Sequence, residues 1–371
     1  MVKPVLILTA GFGEGHNTAA RNIASAVEHL GGTAHIMDPF AETYGRLNEI
    51  TRRIYIGAIN HAPRLWQLFY NMLDQSASAT DSIRQLRGLV RVLGQQLSQI
   101  QPRAVISTYP VYNFILPEIY PPDRRPFHLS TMVTDSISIN ALWYKGASDR
   151  YYVPNEDTAA VFLKKGISPQ QVAVSGFPVQ LDFALQERRL SPPDIEHSIP
   201  RIIYVVNSGK QRAPSVVSRL LKKTDWHLTV AVGRDENLRQ RINKIVEPWP
   251  GRSEVIGWTQ DMPKLLMSHH LLITKAGGAT IQEAIAAGCP VLINQVVPGQ
   301  EEGNYELIKK NHAGTFASSP EQILERARHC FADRAAVWKT WRSNIQSMAR
   351  PEASLNIARD LLAHSGDTSH S

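Results

Sequence analysis

Cysteine is scarce in this chain: among 371 residues there are two, Cys289 and Cys330. Two thiols cannot build a disulfide framework, so a reducing compartment is expected. No apolar run approaches the ~18 residues that a membrane span needs, so any membrane contact is expected to be peripheral. The opening Met1-Val2-Lys3-Pro4-Val5 runs directly into a strand-like apolar stretch. It lacks the long apolar region and small-residue cleavage site of a signal peptide. Asp-x-Asp is absent, and His269-His270 has neither ligand spacing nor neighbouring cysteines, so no metal is expected. There is no Gly-x-Ser-x-Gly nucleophile turn. Zinc-finger, basic-region and aromatic RNA-binding signatures are also missing, so nucleic acid is not expected as a partner. The net charge of +7 leaves anionic lipid and phosphorylated substrates open.

What is present reads as a folded α/β protein. The composition is 43% hydrophobic and 20% charged. Domains of ~100–200 residues are usual, so the length suggests two. Short apolar runs at Val5–Ala10, Ala104–Thr108, His128–Thr134, Tyr151–Val153 and Val172–Ser175 read as strands. A second series follows at Ile202–Val206, Leu228–Val232, Glu254–Ile256, Leu271–Thr274 and Val291–Asn294. Helical patterns separate them; in one, Ile23, Ala26, Val27 and Leu30 share a face. Strand–helix repetition with continuous rather than alternating apolar strands predicts parallel sheets buried on both faces. Phe177–Pro200, with four prolines and little core pattern, reads as a linker between domains 1–176 and 201–334. A terminal helix at about 335–363 is expected to pack back on the first domain. Two doubly wound halves of this kind would face each other across a cleft. Arg46–Asp74 is basic and aromatic, with Leu65, Leu68, Phe69 and Met72 on one helical face beside Trp66. It reads either as cover for the sheet or as a surface for anionic membrane.

Three motifs carry chemistry. Thr9-Ala10-Gly11-Phe12-Gly13-Glu14-Gly15-His16-Asn17 joins the first strand to the first helix. Its Gly-x-Gly-x-Gly spacing, with only Asp38 as a weak acidic partner, argues against a dinucleotide site. His16 is placed to act as a base near neutral pH or to serve as a structural histidine. Ile273-Thr274-Lys275-Ala276-Gly277-Gly278-Ala279-Thr280 ends a strand and opens a helix whose amides can receive phosphate. Glu283 either closes a capping box with Thr280 or accepts hydrogen bonds from ribose hydroxyls. Pro298-Gly299-Gln300-Glu301-Glu302-Gly303-Asn304 offers amide and carboxylate groups to sugar hydroxyls, or simply begins a helix.

In their shared order these motifs resemble the monogalactosyldiacylglycerol synthase and processive diacylglycerol glucosyltransferase family. The resemblance spans roughly residues 3–330 and includes Val133-Thr134-Asp135, Trp143-Tyr144-Lys145-Gly146 and Asp149–Pro154. More distantly the chain is similar to the lipid-linked glucosaminyltransferase of peptidoglycan synthesis. The resemblance implies a GT-B fold, a UDP-glucose or UDP-galactose donor in the C-terminal domain and a diacylglycerol acceptor at the N-terminal domain. It implies inversion at the anomeric carbon with no metal or cofactor, on the inner, cytoplasmic face of the membrane. Gly277, Gly278, Ala279 and Thr280 would lie at the diphosphate, Glu283 at the ribose, Gln300 and Glu301 at the sugar, and Gly257 with Trp258 near the uracil. His16 would be the base. Asp135 would orient it or, like Glu14, replace it. Gly13, Glu14, Gly15, Trp66 and Phe69 would lie on the acceptor and membrane side, and Arg234 would assist the leaving group. One turn departs from the family. Asn207-Ser208-Gly209-Lys210-Gln211-Arg212 has a single glycine where the family is glycine-rich, so Lys210 or Arg212 would replace amide contacts with charge. Other GT-B transferases, a UDP-sugar epimerase and a non-catalytic UDP-sugar sensor are the competing readings.

Overall fold

The computed structural model describes residues 3–45, 86–185, 190–298 and 301–364. Trp66, Phe69 and the rest of the Arg46–Asp74 segment lie outside the described residues, as does Gln300. The chain divides into two units. The first comprises Met1–Leu181, Pro298–Gln300 and Arg350–Ser371; the second comprises Asp182–Val297 and Glu301–Ala349.

In the first unit the strands β1 (Val5–Leu8), β2 (Ala34–Met37), β3 (Ala104–Ser107), β4 (His128–Met132), β5 (Arg150–Val153) and β6 (Val172–Val174) are all parallel. Their order is β2-β1-β3-β4-β5-β6. Every residue of β1 and β3 is buried, which explains their unbroken apolar sequences. Helix α1 (Glu14–His29) buries Ile23, Ala26 and Val27. Leu30 was expected on the same face, but it forms the helix end and is 36% exposed, because Gly31 turns the backbone left-handed there. Leu89, Leu93 and Leu97 make a buried stripe along α2 (Arg87–Ile100).

The second unit repeats the plan. Strands β7 (Arg201–Val205), β8 (His227–Ala231), β9 (Ser253–Ile256), β10 (Leu271–Lys275), β11 (Val291–Gln295) and β12 (Gly314–Phe316) are parallel, in the order β12-β11-β10-β7-β8-β9. Helix α3 (Ala213–Lys223) packs Val216, Val217, Leu220 and Leu221 into the core under this sheet. In both units the strand order reverses beside the first strand, between β1 and β3 and between β7 and β10. Loops leaving neighbouring strands diverge at such a reversal and open a crevice at the strand C-termini.

The Pro-rich stretch after β6 holds more core than its sequence suggested: Phe177, Val179 and Phe183 are buried. Near the C-terminus, the helix Pro320–Met348 is broken at Ala332–Ala335, and the chain rejoins the first unit at Arg350. There the helix Ala353–Ala363 lies on α1 and buries Leu355, Ile357, Ala358 and Leu361. A Cβ on Gly32 would come within 2.7 Å of Leu362 Cδ2, so the glycine permits this approach. Tyr152 OH donates to Asp360 at 2.6 Å, and Ser354 Oγ donates to the Val179 carbonyl at 2.5 Å. Leu361→Ala should therefore cost the first unit ~2–5 kcal/mol, the usual range for a buried leucine. Urea unfolding measures this; a midpoint equal to that of the wild type would show that the C-terminal helix adds no core.

Candidate active site

The reversal point of the first unit is built around His16. The loop after β1 is braced by Asp38, which accepts Gly11 N–H at 2.9 Å and Ala41 N–H at 3.0 Å. Asp38 thus serves the backbone. His16 is the third residue of α1, and its Nδ1 lies 2.7 Å from the Thr108 carbonyl, just beyond β3. A carbonyl only accepts, so in the neutral ring Nδ1 carries the hydrogen and Nε2 keeps the lone pair. Thr134 Oγ1, after β4, is 3.0 Å from the same nitrogen. A Cβ on Gly13 would stand 3.3 Å from His16 Cδ2 and 3.6 Å from Nε2. Glycine at 13 spares that edge of the ring a tight contact. Burial holds the imidazole below its usual pKa of 6.5, against the opposite pull of Asp135 and of the Thr108 carbonyl.

Asp135 follows β4, and its Oδ2 accepts Trp143 Nε1–H at 2.7 Å. Burial raises its pKa, while the imidazole and the indole N–H partly offset the rise. No direct bond joins His16 to Asp135 among the described contacts, so their coupling acts through space. Glu14 is exposed and pairs with Arg21 at 2.6 Å, on the surface of α1. A Cβ on Gly15 would meet nothing within 4 Å. Around His16 stand aromatic rings, of which Phe40 and Tyr109 carried no motif in the sequence. Tyr109 meets it edge-on at 5.2 Å, Trp143 lies at 6.1 Å, and Phe12, Phe40 and Tyr109 contact one another. Their available signal was position: Tyr109 sits two residues past β3, at a strand C-terminus.

In the second unit the loop after β10 leads into α4 (Gly278–Ala287). Gly277 caps this helix without any side-chain bond, leaving the first-turn amides of Gly278, Ala279 and Thr280 for a ligand. Because Thr280 lies inside the helix, the capping-box alternative for Glu283 does not hold. Glu283 is half-buried, and burial pushes its carboxyl up from 4.5 to about 7. Glu301 is 5% exposed and turned inward. Its Oε1 accepts from Lys275 and its Oε2 accepts Val297 N–H at 3.0 Å. Asn304 Nδ2 donates to the Ala276 carbonyl at 3.1 Å and fixes the same loop.

The other expected donor residues come from the loops after β7, β8 and β9. Gly209 is left-handed (φ +63°), and a Cβ there would stand 3.6 Å from Gln295 Oε1. Lys210 pairs with Asp235 at 2.6 Å, and Arg212 donates to the Ser318 carbonyl at 2.8 Å, so both cations are engaged within the unit. Trp258 is 60% exposed, with the Arg234 guanidinium 5.1 Å above its ring. A Cβ on Gly257 would come within 3.4 Å of the Gly233 carbonyl, so glycine lets these two loops approach. Among the described residues, no group of three or more His, Cys, Asp or Glu side chains is placed to hold a metal ion.

Residues 16–179 match the family model for monogalactosyldiacylglycerol (MGDG) synthase. This stretch is similar to the MGDG synthase family over 164 of the 371 residues. Along nearly its whole length the chain is similar to curated members of that group. A processive diacylglycerol beta-glucosyltransferase of Bacillus licheniformis is 25% identical over 98% of this chain and 95% of its own. The chloroplastic MGDG synthase of Spinacia oleracea is 26% identical over 97% of this chain and 72% of its own. In three dimensions the chain resembles Acinetobacter baumannii MurG, with a TM-score of 0.62 at 14% identity, covering 97% of this chain and 99% of that one. CalG4, the calicheamicin glycosyltransferase, gives a TM-score of 0.58 at 13% identity and covers all of both chains. The fold is GT-B, as the sequence resemblance implied. Over this stretch, and more weakly along its length, the chain is similar to glycosyltransferases of the diacylglycerol and MGDG group.

Glu283 gives this site a pH signature. The folded chain holds its proton more tightly than the unfolded one, so the group favours folding fully below pH about 4.5 and loses that advantage as pH rises through about 7. Glu283→Gln keeps the shape and removes the ionisation. Between about pH 5 and pH 8 the melting temperature of the wild type should fall relative to that of Glu283→Gln. Parallel melting curves would mean that the carboxylate is paired in the folded chain.

Proposed function

We propose that the chain is an inverting glycosyltransferase that moves a hexose from UDP-glucose or UDP-galactose onto the free hydroxyl of 1,2-diacylglycerol. The observation that carries this reading is His16, whose Nδ1 bonds to the Thr108 carbonyl at the reversal point of a parallel sheet, so that the neutral ring keeps its lone pair on Nε2. An alcohol is a poor nucleophile and needs a base as it attacks. His16 Nε2 takes the hydroxyl proton while the oxygen bonds to the anomeric carbon. The carbon–phosphate oxygen bond breaks, and its electron pair leaves with UDP. The bare N-terminus of α4 receives the diphosphate charge, Glu283 takes the ribose hydroxyls, and the exposed Trp258 with Arg234 covers the uracil.

The acceptor follows from the surroundings of the base. Phe12, Phe40, Tyr109 and Trp143 give His16 an apolar aromatic setting, which suits a lipid alcohol better than a polar sugar. Among the described residues no helix is long and apolar enough to cross a membrane. On this reading the enzyme meets its lipid as a peripheral protein on the inner membrane face, with Arg46–Asp74 supplying basic and aromatic contacts. Gln300 would set the sugar, whereas Glu301, with both oxygens already bound, would act through Lys275. The relatives named as diacylglycerol and MGDG enzymes support this reading.

The test is transfer of radiolabelled hexose from UDP-glucose or UDP-galactose to diacylglycerol in anionic vesicles. Inversion at C2 of a UDP-sugar without acceptor would instead make the chain an epimerase, and binding without turnover would make it a sensor. His16→Ala should cut turnover by ~10²–10⁴-fold, the usual worth of a general base, with UDP affinity nearly unchanged. The wild-type rate should fall on an acid limb centred below pH 6.5, since protonated imidazole cannot accept the proton. Asp135→Asn should move that limb to still lower pH, because its carboxylate raises the imidazole pKa. Near-normal turnover in His16→Ala, with a folded but inactive Asp135→Asn, would transfer the base role to Asp135.

A further inference from the structure

We propose that Lys275 is the cation that takes up the charge of the departing diphosphate, and that Glu301 holds it in position. This rests on the donor-site reading above. Three observations lead to it. Lys275 ends β10 two residues before the bare cap of α4. Its stem runs along that cap: a Cβ on Gly277 would lie 3.3 Å from Lys275 Cε. Its ammonium contacts Glu301 Oε1, the other carboxylate oxygen being tied to Val297 N–H.

The pair is lopsided in a way that a purely structural ion pair has no need to be. The Glu301 side chain is 6% exposed, whereas that of Lys275 is 26% exposed. The carboxylate is fixed in the interior and the ammonium sits nearer the surface, beside the helix end where the diphosphate is expected. An ammonium has three donors, and the contact with Glu301 uses one. An unpaired buried carboxylate at this point would repel a diphosphate; paired, it becomes an anchor that aims the lysine. Arg234 stacks on Trp258, Lys210 is held by Asp235 and Arg212 by the Ser318 carbonyl. Each of these three has a partner that draws it to another task.

In the transfer step the bond from the anomeric carbon to the β-phosphate oxygen breaks and both electrons stay on that oxygen. Lys275 donates a hydrogen bond to it and remains protonated throughout. The acceptor proton goes to His16, so the lysine adds charge stabilisation and no proton transfer. Charge-assisted hydrogen bonds of this kind strengthen as the oxyanion forms.

Calorimetric titration of the full chain with UDP and with uridine tests the assignment. Lys275→Met should weaken UDP by about 10–100-fold, the worth of a hydrogen bond to a charged group, and leave uridine unchanged. Lys275→Arg should recover part of the loss. Glu301→Gln keeps an oxygen to accept from the ammonium and removes the negative charge beside the diphosphate, so it should hold Lys275 in place and bind UDP at least as tightly as the wild type, unlike Lys275→Met. Because Lys275→Met leaves Glu301 buried and unpaired, the double variant Lys275→Met with Glu301→Gln serves as the folded control; it should still bind UDP more weakly than the wild type, since the ammonium is gone. Equal UDP affinity in the wild type and the double variant overturns the proposal. So does a parallel loss of UDP and uridine, or a loss in Glu301→Gln that matches Lys275→Met, since either marks a structural pair. A wild type that binds neither UDP nor uridine overturns the donor site itself.

Discussion

A parallel sheet covered on both faces leaves this chain few places to expose chemistry beside its strands: they are the strand ends, and among those the points where strand order reverses. Both units obey this constraint. In the first, the reversal between β1 and β3 brings the Thr9–His16 loop against Thr108, and one hydrogen bond sets the tautomer of His16. In the second, the reversal between β7 and β10 sets the turn at Gly209 near the loop that opens α4. The glycines at 13, 209 and 277 matter for the same reason. Each sits where a side chain would fill space next to a group with a task, His16, Gln295 or Lys275.

Charge in the second unit follows from the same geometry. Loops at strand C-termini bring helix N-termini with them, and these carry partial positive charge. Carboxylates gather there in consequence: Asp235 caps its own helix through Leu238 N–H while holding Lys210, and Glu301 holds Lys275. Positive groups are thus tethered rather than loose. Glu283 differs, for it stands half-buried with its pKa raised to about 7 by burial. A carboxyl kept so close to its neutral form gains most from a ligand that brings hydrogen-bond donors, which is what a ribose offers.

Much of this was legible in the sequence because the buried strands and the glycine-bearing turns leave strong local marks. The runs at Val5, Ala104, Leu271 and Val291 emerged as strands for the simple reason that both their faces are apolar. The edge strands β2 and β12 escaped notice. They are short, and their exposed Ile36 and Phe316 stand in mixed polar sequence without period. The glycine-bearing turns that lead to His16 and to Gly277 could be placed after their strands from sequence, while the role of His16 stayed open between base and structural histidine. The Thr108 carbonyl and the inward turn of Glu301 could not, since both depend on contacts between segments distant in the chain. A carbonyl has no sequence identity, and a glutamate beside a glutamine looks like a ligand until its two oxygens are seen to be bound.

The atypical turn at Asn207–Arg212 shows how such a contact changes a reading. A glycine-rich turn at this place offers bare amides, and its replacement by Ser208-Gly209-Lys210 seemed to exchange amides for charge. Gly209 alone takes the left-handed backbone that the turn requires, so one glycine suffices for its path. Lys210 then leans to Asp235 at the head of the next helix, and Arg212 leans to Ser318. The two cations therefore fasten the turn to its neighbours, and the charge gained in the sequence is consumed in holding the loop. A turn held by one ion pair and one hydrogen bond to a carbonyl can do by pre-organisation what additional glycines do by close approach. On the proposed reading, the positive charge for a diphosphate comes instead from the opposite side of the reversal point, where the β10 loop carries Lys275 and the amides of α4.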